Sequence, residues 1–260
     1  MVTTSCIAPM LLIGMTLGMT ACAPSSTAPS RIIEIQTEEV TSPDVTVSPD
    51  GTTLVFSLLG HLFDLPVNGG VAHQLTFGPF YHHDPTYSPD GAQLAFVSNR
   101  DGSEDNVFVM DLETRDIMQV THEPRAEHPS WSPDGRSLLY LSYREASRIS
   151  EVAEVHEVEL ESRTVRVLDA NGRGIRTVFY TVNGQAGWGV VGENDAGEYE
   201  TQVELAMNRG SPLATASISG EAERILPSPD GNGYFAHSQE GEAAHILWVQ
   251  TDGEVVITNL

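Results

Sequence analysis

The chain has 260 residues, 40% of them hydrophobic and 19% charged, with 23 Gly and 15 Pro, a profile that excludes a disordered or fibrous protein. Its 36 acidic residues against 13 basic ones leave a formal charge of −23, which opposes any polyanion, because phosphate neutralisation by Lys and Arg supplies most nucleic-acid affinity. All 13 basic residues are Arg, so chemistry that needs an ε-amine is also excluded: a P-loop lysine, a Schiff base or a lysine general base.

The N-terminus reads as an export signal. Residues Ile7 to Met19 form an apolar run of 13 positions, too short for a bilayer core of ~30 Å but the length of a signal-peptide h-region. Met19-Thr20-Ala21-Cys22 follows and resembles a bacterial lipoprotein box, in which the cysteine becomes the acylated first residue. That resemblance implies a signal peptide over 1–21, lipidation at Cys22 and a membrane held through the lipid anchor alone. Residues 22–30, rich in Pro, Ser and Thr, would be a tether. Cys6 and Cys22 are the chain's two cysteines, so neither a disulfide framework nor a thiolate zinc site is expected in the folded part, 31–260.

Self-comparison sets the architecture. Ser-Pro-Asp-Gly occurs at Ser48–Gly51, Ser88–Gly91, Ser132–Gly135 and Ser228–Gly231, and Thr181-Val182-Asn183-Gly184 is a decayed copy; the steps are 40, 44, 49 and 47 residues. Periods of that length belong to four-stranded propeller blades, not to helical repeats. Pro presets φ, Asp caps through its side chain and Gly takes the φ > 0 corner, so each tetrapeptide predicts a turn between antiparallel strands. In chain order, the second strands are predicted at Leu54–Phe56, Leu94–Val97, Leu138–Leu141 and Tyr234–Ala236. Third strands follow at His61–Leu65, Asn106–Met110, Val155–Leu160, Val203–Leu205 and His245–Val249. Outer strands end the units at Gln74–Thr76, Gln119–Thr121, Val165–Leu168 and Val255–Thr258, with a less distinct one near Leu213–Ala216. Arg31–Ile35 could add a further outer strand to the final blade, which already has its own. No helix is predicted after the signal. The fold class is all-β: a propeller of four-stranded antiparallel blades with five repeats visible, as a five-blade ring or one cut short of six or more.

Trp131-Ser132-Pro133-Asp134-Gly135, Phe96-Val97-Ser98-Asn99-Arg100-Asp101-Gly102 and the Gln-Leu-Thr endings resemble the TolB-like, or PD40, β-propeller repeat. The stretch from Val47 to Thr76 is similar to the propeller joined to amidohydrolase domains in secreted bacterial proteins. The resemblance implies a binding or scaffolding module of the periplasm or cell envelope, without catalytic activity of its own, and a protein or peptide partner. It implies a monomer or a chain associated with a catalytic domain. Its alternative is the propeller portion of an amidohydrolase or peptidase-type hydrolase whose catalytic domain this chain lacks.

The candidate binding surface is the ring's mouth. Counting four residues back from each motif Ser or Thr gives Asp44, Asp84, His128, Thr177 and Arg224; one position earlier stand Pro43, His83, Glu127, Arg176 and Glu223. Equivalent positions of successive blades share a radius, so Asp44, His82, His83, Asp84, Glu127, His128, Arg176 and Arg224 are expected around one opening. His82, His83, Asp84 and His128 offer donors to a divalent metal, but no His-Glu-x-x-His spacing joins them, so solvated or hydrogen-bonded loop residues are the expectation and no cofactor is assigned. No nucleophile elbow, catalytic cysteine or phosphate loop is present to assign a catalytic residue.

Overall fold

The structure, a computed structural model, describes residues 44–102, 104–143, 152–170, 174–197, 199–206, 213–228, 232–240, 243–250 and 255–258. The signal peptide, Cys22, the tether, Arg31–Ile35, Pro43 and most of the turn at 229–231 lie outside the described residues.

Twenty strands form five antiparallel four-stranded sheets, each ordered as its strands follow in the chain. Blade 1 holds β1 (Val45–Val47), β2 (Thr53–Leu58), β3 (His61–Pro66) and β4 (His73–Gln74). Blade 2 holds β5 (His82–Tyr87), β6 (Gln93–Ser98), β7 (Asn106–Asp111) and β8 (Ile117–Gln119). Blade 3 holds β9 (Arg125–Trp131), β10 (Ser137–Tyr143), β11 (Ala153–Glu159) and β12 (Val165–Asp169). Blade 4 holds β13 (Ile175–Tyr180), β14 (Ala186–Glu193), β15 (Tyr199–Leu205) and β16 (Leu213–Ser219). Blade 5 holds β17 (Glu221–Pro227), β18 (Gly233–Glu240), β19 (Ala243–Gln250) and β20 (Val255–Thr258). The architecture is the expected all-β propeller of four-stranded blades, and no helix occurs among the described residues.

Short-range hydrogen bonds explain why the repeated tetrapeptide turns. Gly51, Gly91 and Gly135 adopt φ of +71° to +74°, and their N–H groups donate to the carbonyls of Ser48, Ser88 and Ser132 at 2.8–2.9 Å. The carboxylates of Asp50, Asp90 and Asp134 accept from the same serine hydroxyls at 2.6–2.7 Å and from the N–H two residues on at 3.0–3.1 Å. Each serine hydroxyl also accepts from the first N–H of the second strand at 2.9–3.0 Å. The decayed copy turns as well, with Gly184 at φ +78° donating to the Thr181 carbonyl at 2.9 Å. What it shares with the others is the glycine, which takes the left-handed corner without steric cost.

The Gln-x-Thr endings have an equally local cause. Gln74 and Gln119 donate their side-chain amides to the carbonyls of Thr76 and Thr121, while those threonine hydroxyls accept the third-strand N–H of Leu62 and Val107, both at 2.9 Å. The outer strand is thereby fastened beyond its short backbone ladder.

Between blades the core is apolar. Leu94, Phe96, Leu138, Leu139, Tyr140, Leu141 and Val155 are all fully buried, in sheets packed face to face. At ~25 cal/mol per Å² of apolar area removed from water, such layers are the main source of stability for an all-β fold.

Candidate functional site

The inner strands carry the polar positions, and in blades 2 to 5 none runs as a regular ladder past them. Register breaks fall between His83 and Thr86 in β5, between Glu127 and Ser130 in β9, at Arg176 in β13 and at Glu223 in β17. In blades 2 and 3 the cause is readable: Pro85 and Pro129 have no N–H to donate to a ladder. Just ahead of each proline, Asp84 and His128 adopt φ of +50° and +57°. Non-glycine residues there hold backbone strain, which persists where surrounding contacts over-determine it and gathers at functional sites.

Those contacts converge on Asp84. Its N–H donates to Asp44 Oδ2 at 3.0 Å, its Oδ2 faces His128 Nδ1 at 3.2 Å, and its Oδ1 accepts from Arg224 Nη2. One residue, 6% exposed, thus ties blade 2 to blade 1 through its N–H and to blades 3 and 5 through its carboxylate. Burial alone would raise the Asp84 pKa, but the His128 bond and charge, then the charges of Arg224 and His83, hold it well below the ordinary carboxylate range,. On His128 burial works toward the neutral form, and Asp84 followed by Glu127 outweighs it, so the imidazole pKa is raised.

The remaining expected residues occupy four settings. His83 Nε2 lies 3.9 Å from Asp105 Oδ2, and burial, which would lower its pKa, is overcome by Asp105, Asp84 and Asp44. Glu127 Oε1 is 3.3 Å from Arg125 Nε, and the Arg125 guanidinium stacks 3.6 Å over the Tyr143 ring, whose hydroxyl also feels the charge of Arg176. Thr177, blade 4's counterpart of Asp84, is buried and accepts the Ile225 N–H on its hydroxyl at 3.4 Å. His82 stands apart, 1% exposed, with its ring 5.6 Å from Phe96, 6.0 Å from His61 and 6.4 Å from Phe80. Neither of its ring nitrogens has a hydrogen-bond partner.

Sequence reasoning did not single out Asp105 as the partner of His83, nor Glu123, which accepts the Tyr140 hydroxyl at 2.5 Å and lies 3.8 Å from His156 Nδ1. These pairings join residues 17 to 33 positions apart, so no local motif could have announced them.

Chemically the arrangement is a strained, ion-paired junction where several blades meet. Among the described residues no three His, Cys, Asp or Glu side chains converge as a metal site. His128 and Asp84 form a histidine–carboxylate couple, but among the described residues no hydroxyl or thiol is hydrogen-bonded to His128, as an activated nucleophile would require. Fixed donors and acceptors of both signs suit the recognition of a polar segment.

Comparison with known proteins gives the fold its family. No curated protein sequence matches this one. A protein of Agrobacterium tumefaciens assigned as a TolB is similar in structure, with a TM-score of 0.70 and 17% identity over 83% of this chain and 79% of that one. TolB from Acinetobacter baumannii gives 0.61 and 17% over 83% of this chain and 51% of that one, so this chain spans about half its length. An oligogalacturonate lyase solved in complex with manganese gives 0.60 and 11% over 82% of this chain and 63% of that one. The family model described as the TolB beta propeller domain matches residues 27–174 and 78–258, and together those spans cover most of the sequence: the chain belongs to the TolB β-propeller family.

Proposed function

We propose that the chain is an exported, lipid-anchored propeller acting as a binding or scaffolding module in the bacterial cell envelope, with its mouth as the contact surface. Asp44, His83, Asp84, Glu127, His128, Arg176 and Arg224 would present polar groups to a protein or peptide segment, and His82 would support the adjoining loop from beneath. The observation that carries the reading is the junction at Asp84, where positions four residues ahead of the repeated turns meet from blades 1, 2, 3 and 5. A preorganised polar cluster at the meeting point of rigid blades fixes donors and acceptors at little entropic cost on binding. The net charge of −23 favours a partner that is neutral or cationic overall.

Two experiments test the two halves of this reading. Palmitate labelling of cells expressing the full chain should label it, and Cys22→Ser should abolish the label; no label on the unaltered chain removes the anchor. Pull-down from an envelope extract should recover a partner that the double variant His128→Ala/Arg224→Ala loses. If every partner is retained by a folded double variant, the mouth is not the contact surface.

A further inference from the structure

In blades 2, 3 and 4 the inner strand ends on an aromatic residue: Tyr87, Trp131 and Tyr180. Two of the three are satisfied by the preceding blade. Trp131, 7% exposed, shares a core with Val109 of blade 2 and donates its indole N–H to the Thr86 carbonyl at 3.1 Å. Tyr180 donates its hydroxyl to Glu157 Oε1 of blade 3 at 2.6 Å.

Tyr87 differs. Register makes Asp64 of blade 1 the counterpart of Val109 and Glu157, since the three lie opposite Val55, Ala95 and Leu139, the equivalent second-strand positions. The Asp64 side chain is one methylene shorter than that of Glu157 and is engaged elsewhere, 3.0 Å from His73 Nδ1 and 4.0 Å from Arg115 Nη2. Among the described residues the Tyr87 hydroxyl makes no hydrogen bond. Burial first, then the charges of Asp64 and Asp50, raise its pKa, which marks how near those carboxylates stand.

Space remains around it. A cavity of about 560 Å³ opens between blades 1 and 2 at the end where the Ser-Pro-Asp-Gly turns lie, running from Asp50 and Asp90 past Tyr87 and Asp64 to Leu75 and Leu112. The cavity at the same end between blades 2 and 3 is about 320 Å³ and is lined by turn residues and Gln93, with nothing from a third strand. The larger one has the size of a site for a small ligand or side chain, ~300–1,000 Å³. It lies at the opposite end of β1 from Asp44, away from the mouth.

The chemistry of the walls names the occupant. Three carboxylates, Asp50, Asp64 and Asp90, stand there against one guanidinium, Arg115. Asp50 and Asp90 are fixed in place by the Ser48 and Ser88 hydroxyls and by the N–H groups of Thr52 and Ala92, so an incoming cation meets acceptors that are already ordered. Leu75, Leu112 and the Tyr87 ring supply an apolar wall for an aliphatic stem, and the ring face attracts a cation. An arginine side chain joins these requirements in one group, a planar fork that pairs with carboxylates and stacks on aromatic rings.

We propose that the groove between blades 1 and 2 is a second binding site, separate from the mouth, that takes an arginine side chain of a peptide segment. The guanidinium enters between Asp64 and the turn carboxylates, donates to the unpaired Tyr87 hydroxyl and lays its stem on Leu75 and Leu112. The site stands whether or not the mouth binds a partner.

Calorimetric titration of the full chain at low ionic strength with the peptide acetyl-Gly-Arg-Gly-amide tests this, with the citrulline peptide as its uncharged isostere. One equivalent of the arginine peptide should bind, and the citrulline peptide should bind about tenfold more weakly or worse. Tyr87→Trp installs the side chain that blade 3 carries, and Asp64→Asn removes the third-strand charge; each should weaken the arginine peptide by about tenfold or more with far-UV dichroism unchanged. His128→Ala/Arg224→Ala should leave its affinity within about twofold. No binding, equal affinity for the two peptides, or undiminished affinity in whichever groove variant keeps its dichroism overturns the proposal. Loss of affinity in the folded double variant also overturns it, since the peptide would then be held at the mouth.

Discussion

Gly187 lies directly opposite Phe179 in the β13–β14 pair and opposite Leu205 in the β14–β15 pair, and a Cβ at Gly187 would stand 2.5 Å from Phe179 Cζ and 2.8 Å from Leu205 Cδ2. The glycine leaves room for two large side chains from the flanking strands to close over the middle of blade 4, where Phe179 joins the core shared with blade 5. Gly187→Ala should therefore overpack that core and cost about 1–3 kcal/mol. Gly192→Ala in the same strand, where nothing lies within 4 Å, should be neutral within about 0.5 kcal/mol. Urea denaturation of the two variants checks the contrast, and equal midpoints would mean that blade 4 relaxes around the added methyl.

The ion pair between Arg224 and Asp84 joins residues 140 positions apart, so its energy measures tertiary closure at the axis. Arg224→Ala leaves a buried carboxylate with the His128 and His83 imidazoles as its remaining cationic neighbours and should cost about 2–4 kcal/mol. Asp84→Asn removes the charge that needed pairing, so the double variant should be less destabilised than the sum of the single ones, with a coupling of about 1–3 kcal/mol. A double-mutant cycle by denaturation reads this quantity. Strict additivity would place the two groups out of contact in solution.

Alkaline conditions should loosen the same junction. The folded-state pKa of His128 is raised above the ordinary imidazole value of 6.5, so its contribution is fully present below that pH and is lost as pH rises through the folded pKa. His83 and His156 shift in the same direction, so all three add to a decline in stability above neutrality. His128→Gln keeps a hydrogen-bonding side chain without the titration and should show a shallower decline between pH 6.5 and 9. Superimposable pH profiles would show that His128 is not charged by Asp84.

The fold was legible because its punctuation is local. Within the three described Ser-Pro-Asp-Gly turns the bonds of serine, aspartate and glycine span at most five residues, so residue type alone dictates the corner. The unequal burial of like strands was not legible. Leu54, Phe56, Phe63 and Leu65 carry the same alternation as Leu94, Phe96, Phe108 and Met110, and burial differs only through which sheet stands opposite. The inner-strand positions could be counted from the turns, yet their pairing could not. Arg224 reaches past blade 1 to Asp84, and His82, adjacent in sequence to His83, turns into an aromatic pocket. Bulges reverse side-chain direction within a residue or two, and their placement depends on the partner strand.

His82 makes the fold sensitive to acid in the direction opposite to His128. Burial first, then the charges of Arg100, His61 and His83, lower its pKa from 6.5 to about 4, so the folded protein holds it neutral while the unfolded chain binds a proton. Its contribution is complete above the unfolded value and is lost as pH falls from about 6.5 towards 4,. At 1.36 kcal/mol per pKa unit the loss reaches about 2 kcal/mol at pH 5. His82→Phe places a ring of similar shape against Phe80 and Phe96 and removes two buried nitrogens that lack hydrogen-bond partners, so it should be more stable than the unaltered chain at pH 5 and nearly flat from pH 7 to 4.5. Thermal denaturation across that range checks the difference, and a proton titration of the His82 ring with a midpoint near 6.5 would sink the argument by showing that water reaches the imidazole.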